Sequence, residues 1–191
     1  ISGSLLPSKQ LVDAIQELKI DEVLMQSQRV LAVRTGAKHV MMVANEDVSS
    51  FVVKTFEGDI NYVEKIFQLL PLNQKEINGD FDLITKGRHS QPISDTVAVG
   101  GAKHNAELKN QIFIEPGATV DHVYLNPKDG PIYIGKNATV MEGAMLRGPI
   151  ALCESSQISM GAKIYAGATI GPWSKVGGEM SNSIITGFSN K

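Results

Sequence analysis

A single cysteine, Cys153, stands among the 191 residues. One thiol excludes an intramolecular disulfide and any cysteine metal cluster, which accords with a reducing compartment; the expected location is cytoplasmic. Charge of one sign is equally scarce, with 18 Lys and Arg against 20 Asp and Glu for a formal net charge of −2. Binders of nucleic acid or of acidic membranes need a strong basic excess, so neither nucleic acid nor a membrane is an expected partner. Long apolar runs are missing as well: no stretch approaches the roughly 20 apolar residues that span a bilayer, and no basic segment leads into an apolar one at the start. What is present, 42% hydrophobic and 20% charged residues, suffices for one ordinary domain or two small ones with real cores. The chain opens at Ile1 without an initiating Met and closes on Ser189, Asn190 and Lys191 without a closing element, which suggests a fragment with a partly represented active site.

The first ninety or so residues read as a mixed α/β piece. Ser8 follows Pro7 and precedes Leu11, Val12, Ile15 and Leu18, a helix N-cap leading into one apolar face. Glu22 to Met25, Arg29 to Val33 and Val40 to Val43 read as short strands, with Thr35 and Gly36 punctuating the run. From Asn61, the spacing of Val63, Ile66, Phe67 and Leu70 predicts a second helix ending near Pro71. Gly79 to Ser94 loses periodicity and gathers Gly, Pro and Ser, and Gly100 with Gly101 marks a linker. The expected domains are therefore an α/β piece over 1–95, a linker over 96–111 and a repeat region over 112–191.

In that last region, counting by six from Ile134 meets Val140, Leu146, Leu152, Ile158, Ile164, Ile170 and Val176. Such a run of aliphatic residues in one frame has a chance of about 10⁻⁵ at ordinary composition. Four residues after each come Ala138, Ala144, Ile150, Ser156, Ala162, Ala168, Ser174 and Met180, mostly small. Six residues turn an α-helix by about 600°, which scatters the aliphatic column over several faces. In a strand, positions two and four apart share a face, so both columns can point inward. Gly143, Gly161, Gly167, Gly171 and Gly177, with Pro149 and Pro172, supply regular bends. Short strands separated by bends and stacked about 4.8 Å apart make a β-solenoid with an aliphatic interior and a tapered column of small residues. Ile114, Ala118 and Val120 lie out of frame, which predicts an insertion within 121–131 and a protruding loop near Asn126 to Gly130.

The repeat Ile134-Gly-Lys-Asn-Ala-Thr followed by Val140-Met-Glu-Gly-Ala-Met resembles the hexapeptide-repeat proteins. That resemblance implies a left-handed parallel β-helix with three strands per coil, a hand opposite to the usual crossover preference. The expected fold is thus an α/β remnant followed by an all-β left-handed parallel β-helix. Gly148 to Glu154, Met160 to Tyr165 and Gly177 to Lys191, joined to the Phe-Asp-Leu-Ile-Thr-Lys-Gly-Arg stretch ending at Arg88, are similar to a narrower group. These segments resemble the Bacteroidetes-type relatives of the bifunctional N-acetylglucosamine-1-phosphate uridyltransferase and glucosamine-1-phosphate acetyltransferase. The resemblance implies a cytoplasmic transferase of nucleotide-sugar and cell-envelope chemistry. Its partners would be a nucleoside triphosphate and a sugar phosphate, with Mg²⁺, and with acetyl-CoA if the solenoid transfers acyl groups. It also implies a homotrimer, and a solenoid ending at Lys191 with unpaired backbone groups invites association. Residues 1–90 lack the glycine-rich phosphate loop of such enzymes, which leaves a non-catalytic oligomerisation scaffold as a further reading.

Acetyl transfer needs a base near neutrality and donors for phosphate and oxyanion. The resemblance puts a general-base His just past Lys191, and His39, His89, His104 and His122 are scattered without metal-ligand spacing, so no catalytic residue and no metal ligand is assigned. Arg147, Lys163 and Lys175 fall at outward hexad positions, where a groove between subunits would meet an anionic substrate. Glu179, Asn182, Ser189, Asn190 and Lys191 stand where the resemblance implies substrate contacts. Cys153 should point outward and stay inert, and Asp59 and Asp80, each after a Gly, read as turn residues rather than metal ligands.

Overall fold

Helix α1, Lys9–Gln16, begins where expected: the Ser8 hydroxyl oxygen accepts from the Leu11 amide at 3.2 Å, satisfying one of the helix's unpaired first-turn donors. Leu11 and Leu18 turn into a small core with Leu24, Leu31, Ala32 and Phe56. Strands Glu22–Gln26 and Arg29–Arg34 form an antiparallel hairpin, and Val52–Thr55 pairs in parallel with Glu22–Gln26. Leu5–Leu6 pairs antiparallel with Asn61–Tyr62. The computed structural model describes residues 1–45 and 47–191. They divide into two units, Ile1–Ile66 and Phe67–Lys191.

Local expectations are corrected in this stretch, and one strand without a sequence signal is added. Val40 to Val43 is part of a short helix, α2 (Val40–Ala44), because a four-residue apolar run has no period of its own. Val52–Thr55, whose side chains are all exposed, is the strand that completes the sheet; burial falls instead on the flanking Phe51 and Phe56. Asn61–Tyr62 is a strand, and the long helix starts later, as α3 (Leu69–Thr85), with Pro71 in its first turn where the missing N–H has no helical partner to lose. Helix α3 runs through Gly79 and Asp80, so Asp80 is helical rather than a turn residue. Its four-residue ridge of Leu69, Asn73, Ile77, Phe81 and Thr85 contains two polar members, which obscured the period. Gly87, at φ 72°, closes the helix in the left-handed conformation that glycine adopts without Cβ strain.

From Ile112 the chain winds into a parallel β-solenoid of about four coils with three faces. The first face stacks Ile112–Ile114, Ile132–Ile134, Ile150–Leu152, Ala168–Ile170 and Ile184–Ile185. The second stacks Thr119–Val120, Thr139–Val140, Gln157–Ile158 and Lys175–Val176. The third stacks Ala98–Val99, Tyr124–Asn126, Met145–Arg147, Lys163–Ile164 and Glu179–Met180. Every aliphatic hexad position from Ile134 to Val176 is at most 1% exposed, and so is every second-column residue from Ala138 to Ser174. Burial of each such Ile, Leu or Val contributes about 1.5–3 kcal/mol, which makes this stack the main source of stability in the second unit.

Two frame changes adjust the coils. Met180 is not in the small column: it pairs with Ile164 and ends the aliphatic stack of the third face, because Gly177 and Gly178 turn a shorter corner. In the first coil Leu125 pairs with Leu146, and the added residues form the loop Pro127 to Pro131, so Asn126 ends a strand rather than starting the loop. The segment expected to link domains is structured: Ala98–Val99 joins the third face and Ala106–Gln111 is a 3₁₀ helix, elements too short to carry a period. The corner from the second to the third face places Gly143, Gly161 and Gly178 at φ 74°, 67° and 72°, in the left-handed region. At the next corner a Cβ on Gly148 would lie 2.0 Å from the Gly130 carbonyl oxygen, so only glycine lets these coils stack.

Candidate functional site

On the third face, alternation that sends Leu125, Leu146 and Ile164 inward sends their neighbours outward. Tyr124, Met145, Lys163 and Glu179 form one outward column by register, and Asn126 and Arg147 begin a second that Tyr165 extends. Together Tyr124, Asn126, Met145, Arg147, Lys163 and Tyr165 line a shallow groove of about 250 Å³. Arg147 Nε lies 2.9 Å from Asp129 on the Pro127 to Pro131 loop, a contact that engages one of five guanidinium N–H donors. Lys163 Nζ lies 3.9 Å from Glu179 Oε1, and the Tyr165 hydroxyl donates to that same oxygen at 2.7 Å. That hydrogen bond, with the nearby negative charge, raises the Tyr165 phenol above its ordinary range and keeps it a donor. Two cations between two phenols suit an anionic, partly planar ligand: the guanidinium fork reads a phosphate bidentately and the ammonium supplies a point charge.

Of the residues singled out in sequence, Arg147, Lys163 and Glu179 meet on this face, and Lys191 Nζ reaches the Glu179 carbonyl at 3.1 Å. The others lie apart. Lys175 is on the second face, where its amide donates to the Ser189 carbonyl at 2.9 Å and it bridges Asn190 as a further parallel rung. The Ser189 amide donates to the Ser174 hydroxyl at 3.1 Å, a structural contact. Asn182 sits in a left-handed corner at φ 44° with its amide on the Ala166 carbonyl at 3.1 Å. Sequence reading missed Tyr124, Asn126 and Tyr165. Parity finds Tyr165, which follows the inward Ile164, whereas the frame change in the first coil hides the register of Tyr124 and Asn126.

Cys153 is half-buried beside α3, and burial pushes its thiol up, which fits the inert role expected of it. The histidines are not all isolated: His39 Nδ1 lies 3.0 Å from Asp21 Oδ1, and the Thr35 hydroxyl donates to that oxygen at 3.3 Å. The His39 contact is the main reason the Asp21 carboxyl is held below its ordinary value. Within the first unit, Arg29 stacks 4.7 Å over the Tyr62 ring and pairs with Glu64, beside a cavity of about 370 Å³ lined also by Gln26 and Gln28. Hydrogen bonds from Ser2 and Ser4 lower the Tyr62 phenol. Among the described residues no three His, Cys, Asp or Glu side chains converge as a metal cage. Mg²⁺ commonly binds through one or two carboxylates together with substrate phosphates, so it does not require such a cage.

The fold defines the class: a small α/β unit followed by a hexapeptide-type parallel β-solenoid. The family model for a sugar nucleotidyl transferase matches residues 1–89, which takes in the first unit and helix α3. The chain therefore joins a sugar nucleotidyl transferase-like segment to a β-solenoid. No curated protein and no solved structure matches the chain. Among the described residues no helix is long and apolar enough to cross a membrane.

Proposed function

We propose that the protein carrying this chain transfers a nucleotidyl group from a nucleoside triphosphate to a hexose-1-phosphate, giving a nucleoside diphosphate sugar and pyrophosphate. The observation that carries this reading is the sugar nucleotidyl transferase match over residues 1–89. A sugar-phosphate oxygen would attack the α-phosphorus in line as the bond to the β,γ-pyrophosphate breaks; Mg²⁺, held mainly by the triphosphate, would supply charge neutralisation. Uridylyl and thymidylyl transfer are the forms proposed. The activity sits in a cytoplasmic nucleotide-sugar pathway of cell-envelope type.

A second reading rests on the third-face groove. Arg147 and Lys163, each beside a carboxylate (Asp129 and Glu179), keep further N–H donors for the phosphate of an amino sugar, and an acetyl-CoA-dependent acyltransfer to its amine would use those donors, with Glu179 holding Lys163 and Tyr165. In a homotrimer a neighbouring solenoid would complete the groove. Lys191 would reach substrate beside Glu179, whereas Lys175, Asn182, Ser189 and Asn190 would bind it only from a partner-facing edge.

A thermal-shift titration of the protein with UTP, dTTP and acetyl-CoA, each with Mg²⁺, separates these readings, because a ligand that binds only the folded state raises its stability. Saturation at about 100 times Kd adds roughly 2.7 kcal/mol, a rise of roughly 5–10 °C for a chain of this size. A shift with one triphosphate supports nucleotidyl transfer and names its base. A shift with acetyl-CoA alone moves the activity to the solenoid, and silence from all three overturns both in favour of a scaffold.

A further inference from the structure

The outward column of the solenoid's first face changes size along the stack. Phe113 and Tyr133 are large and stacked with centroids 6.1 Å apart, whereas the next two residues in register are Ala151 and Thr169. Helix α3 crosses this face and is held at both ends. At the Thr169 end, Asn73 Nδ2 donates to the Gly167 carbonyl at 2.9 Å while the Thr169 hydroxyl donates to Asn73 Oδ1 at 2.8 Å. Past its other end, Arg88 lies 5.2 Å over the Phe113 ring and pairs with Glu115 at 2.6 Å. Between these ties the small Ala151 lines a cavity of about 380 Å³ between the helix and the sheet face.

This cavity lies wholly within the second unit and is chemically one-sided. Ile77, Phe81, the Tyr133 ring and Ala151 give it apolar walls, and Asp80 stands at its rim with Glu76 one helical turn earlier. No Lys, Arg or His lines it among the described residues. Its other polar groups are already committed: Asn73 and Thr169 to each other, and the Tyr133 hydroxyl to Glu115 Oε1 at 2.8 Å. Desolvation by the surrounding chain raises the Asp80 carboxyl, a penalty that an adjacent cation would relieve. A pocket of this size with apolar walls and the solvent-exposed Asp80 carboxylate at its rim has the make-up of a small-molecule site.

We propose that the cavity between α3 and the first face binds a small apolar amine, its hydrocarbon body over Ala151 and its ammonium donating to the Asp80 carboxylate. The site is separate from the nucleotidyl and acyl transfer readings above and stands or falls without them. Cys153 lines the same cavity and is the chain's single thiol, so its alkylation reports occupancy at one place.

Tryptamine, the neutral alcohol tryptophol and ethylamine are the probes, titrated calorimetrically into the full chain at pH 7.5 while the rate of Cys153 alkylation by iodoacetamide is followed. Tryptamine is expected to bind and to slow alkylation several-fold. Tryptophol, which lacks the charge-assisted hydrogen bond, should bind about tenfold more weakly, and ethylamine, which lacks the apolar body, should not protect Cys153. Asp80→Asn should reduce tryptamine to the affinity of tryptophol. Ala151→Leu, which fills the floor, should abolish protection by either. Failure of tryptamine to protect Cys153 in the unaltered chain overturns the proposal, as does equal protection by ethylamine or an unchanged tryptamine affinity in the folded Asp80→Asn variant.

Discussion

Glu115 shows how a charged side chain is kept at the edge of an apolar stack. Its burial pushes the carboxyl up, but hydrogen bonds from Arg88 and Tyr133 outweigh that and hold it below its ordinary value. A lowered carboxyl contributes stability that is present above its unfolded value of about 4.5 and is lost as pH falls through the folded value. Burial and the same carboxylate raise the Tyr133 phenol to about 12. The phenol's contribution is therefore complete below its unfolded value of about 10 and disappears as pH rises toward 12. Arg88→Met should leave Glu115 buried without its cation and cost about 1–3 kcal/mol in urea unfolding at pH 7. Tyr133→Phe should remove the extra loss of stability between pH 10 and 12. Trp173 presents a different residue-scale case: it is 60% exposed and sits at φ 58° in a corner ladder whose other members include Gly117 and Asn137. An L-residue there carries about 1–2 kcal/mol of left-handed strain that Asn relieves in part. Trp173→Asn should raise stability by up to about 1 kcal/mol in urea, and a loss would mean that contacts of the indole outweigh the strain.

At the scale of elements, legibility depended on how many periods an element could display. The solenoid repeats its two inward columns through several coils, so both were readable from spacing. Helix α1 announced itself by Ser8 and one apolar face. Helix α3 was concealed because Asn73 and Thr85 occupy its packing ridge, Asn73 making tertiary hydrogen bonds to Gly167 and Thr169 that no local pattern encodes. Val40–Ala44 and Val52–Thr55 are too short to display any period, so the apolar run of the first suggests a strand and the second gives no signal. The inward assignment of the small column has a direct test. Ala162 is 1% exposed, so Ala162→Phe should overpack the coil and destabilise the solenoid by at least about 1–3 kcal/mol. Unchanged melting of that variant would place Ala162 outside the interior.

Across the whole molecule, the two units differ in how they bury apolar surface. The second has a continuous stack from Ile112 to Met180 with parallel rungs on every coil, whereas the first relies on Leu11, Leu18, Leu24, Leu31, Ala32 and Phe56 around a small sheet. Native-state hydrogen exchange should therefore protect interior solenoid amides such as those of Leu146, Leu152 and Ile164 about 100-fold or more beyond those of strands Glu22–Gln26 and Arg29–Arg34. Equal protection in both would indicate one cooperative unit. The candidate groove follows the same division. Arg147, Lys163 and Glu179 could be placed outside from hexad parity alone. Their meeting with Tyr124 and Tyr165 depends on coil register, which the shortened corner before Leu125 and the loop from Pro127 to Pro131 shift. By itself the sequence determined the solenoid, its two buried columns and the capped first helix, because those features arise from short-range sterics and a repeated hydrophobic period. Only the tertiary structure decided where α3 lies on the first face, that Ala98–Val99 belongs to the solenoid, which cations share a face and where a cavity remains. Each of these depends on register and on contacts between residues far apart in the chain, and no single strand of two or three residues carries that information.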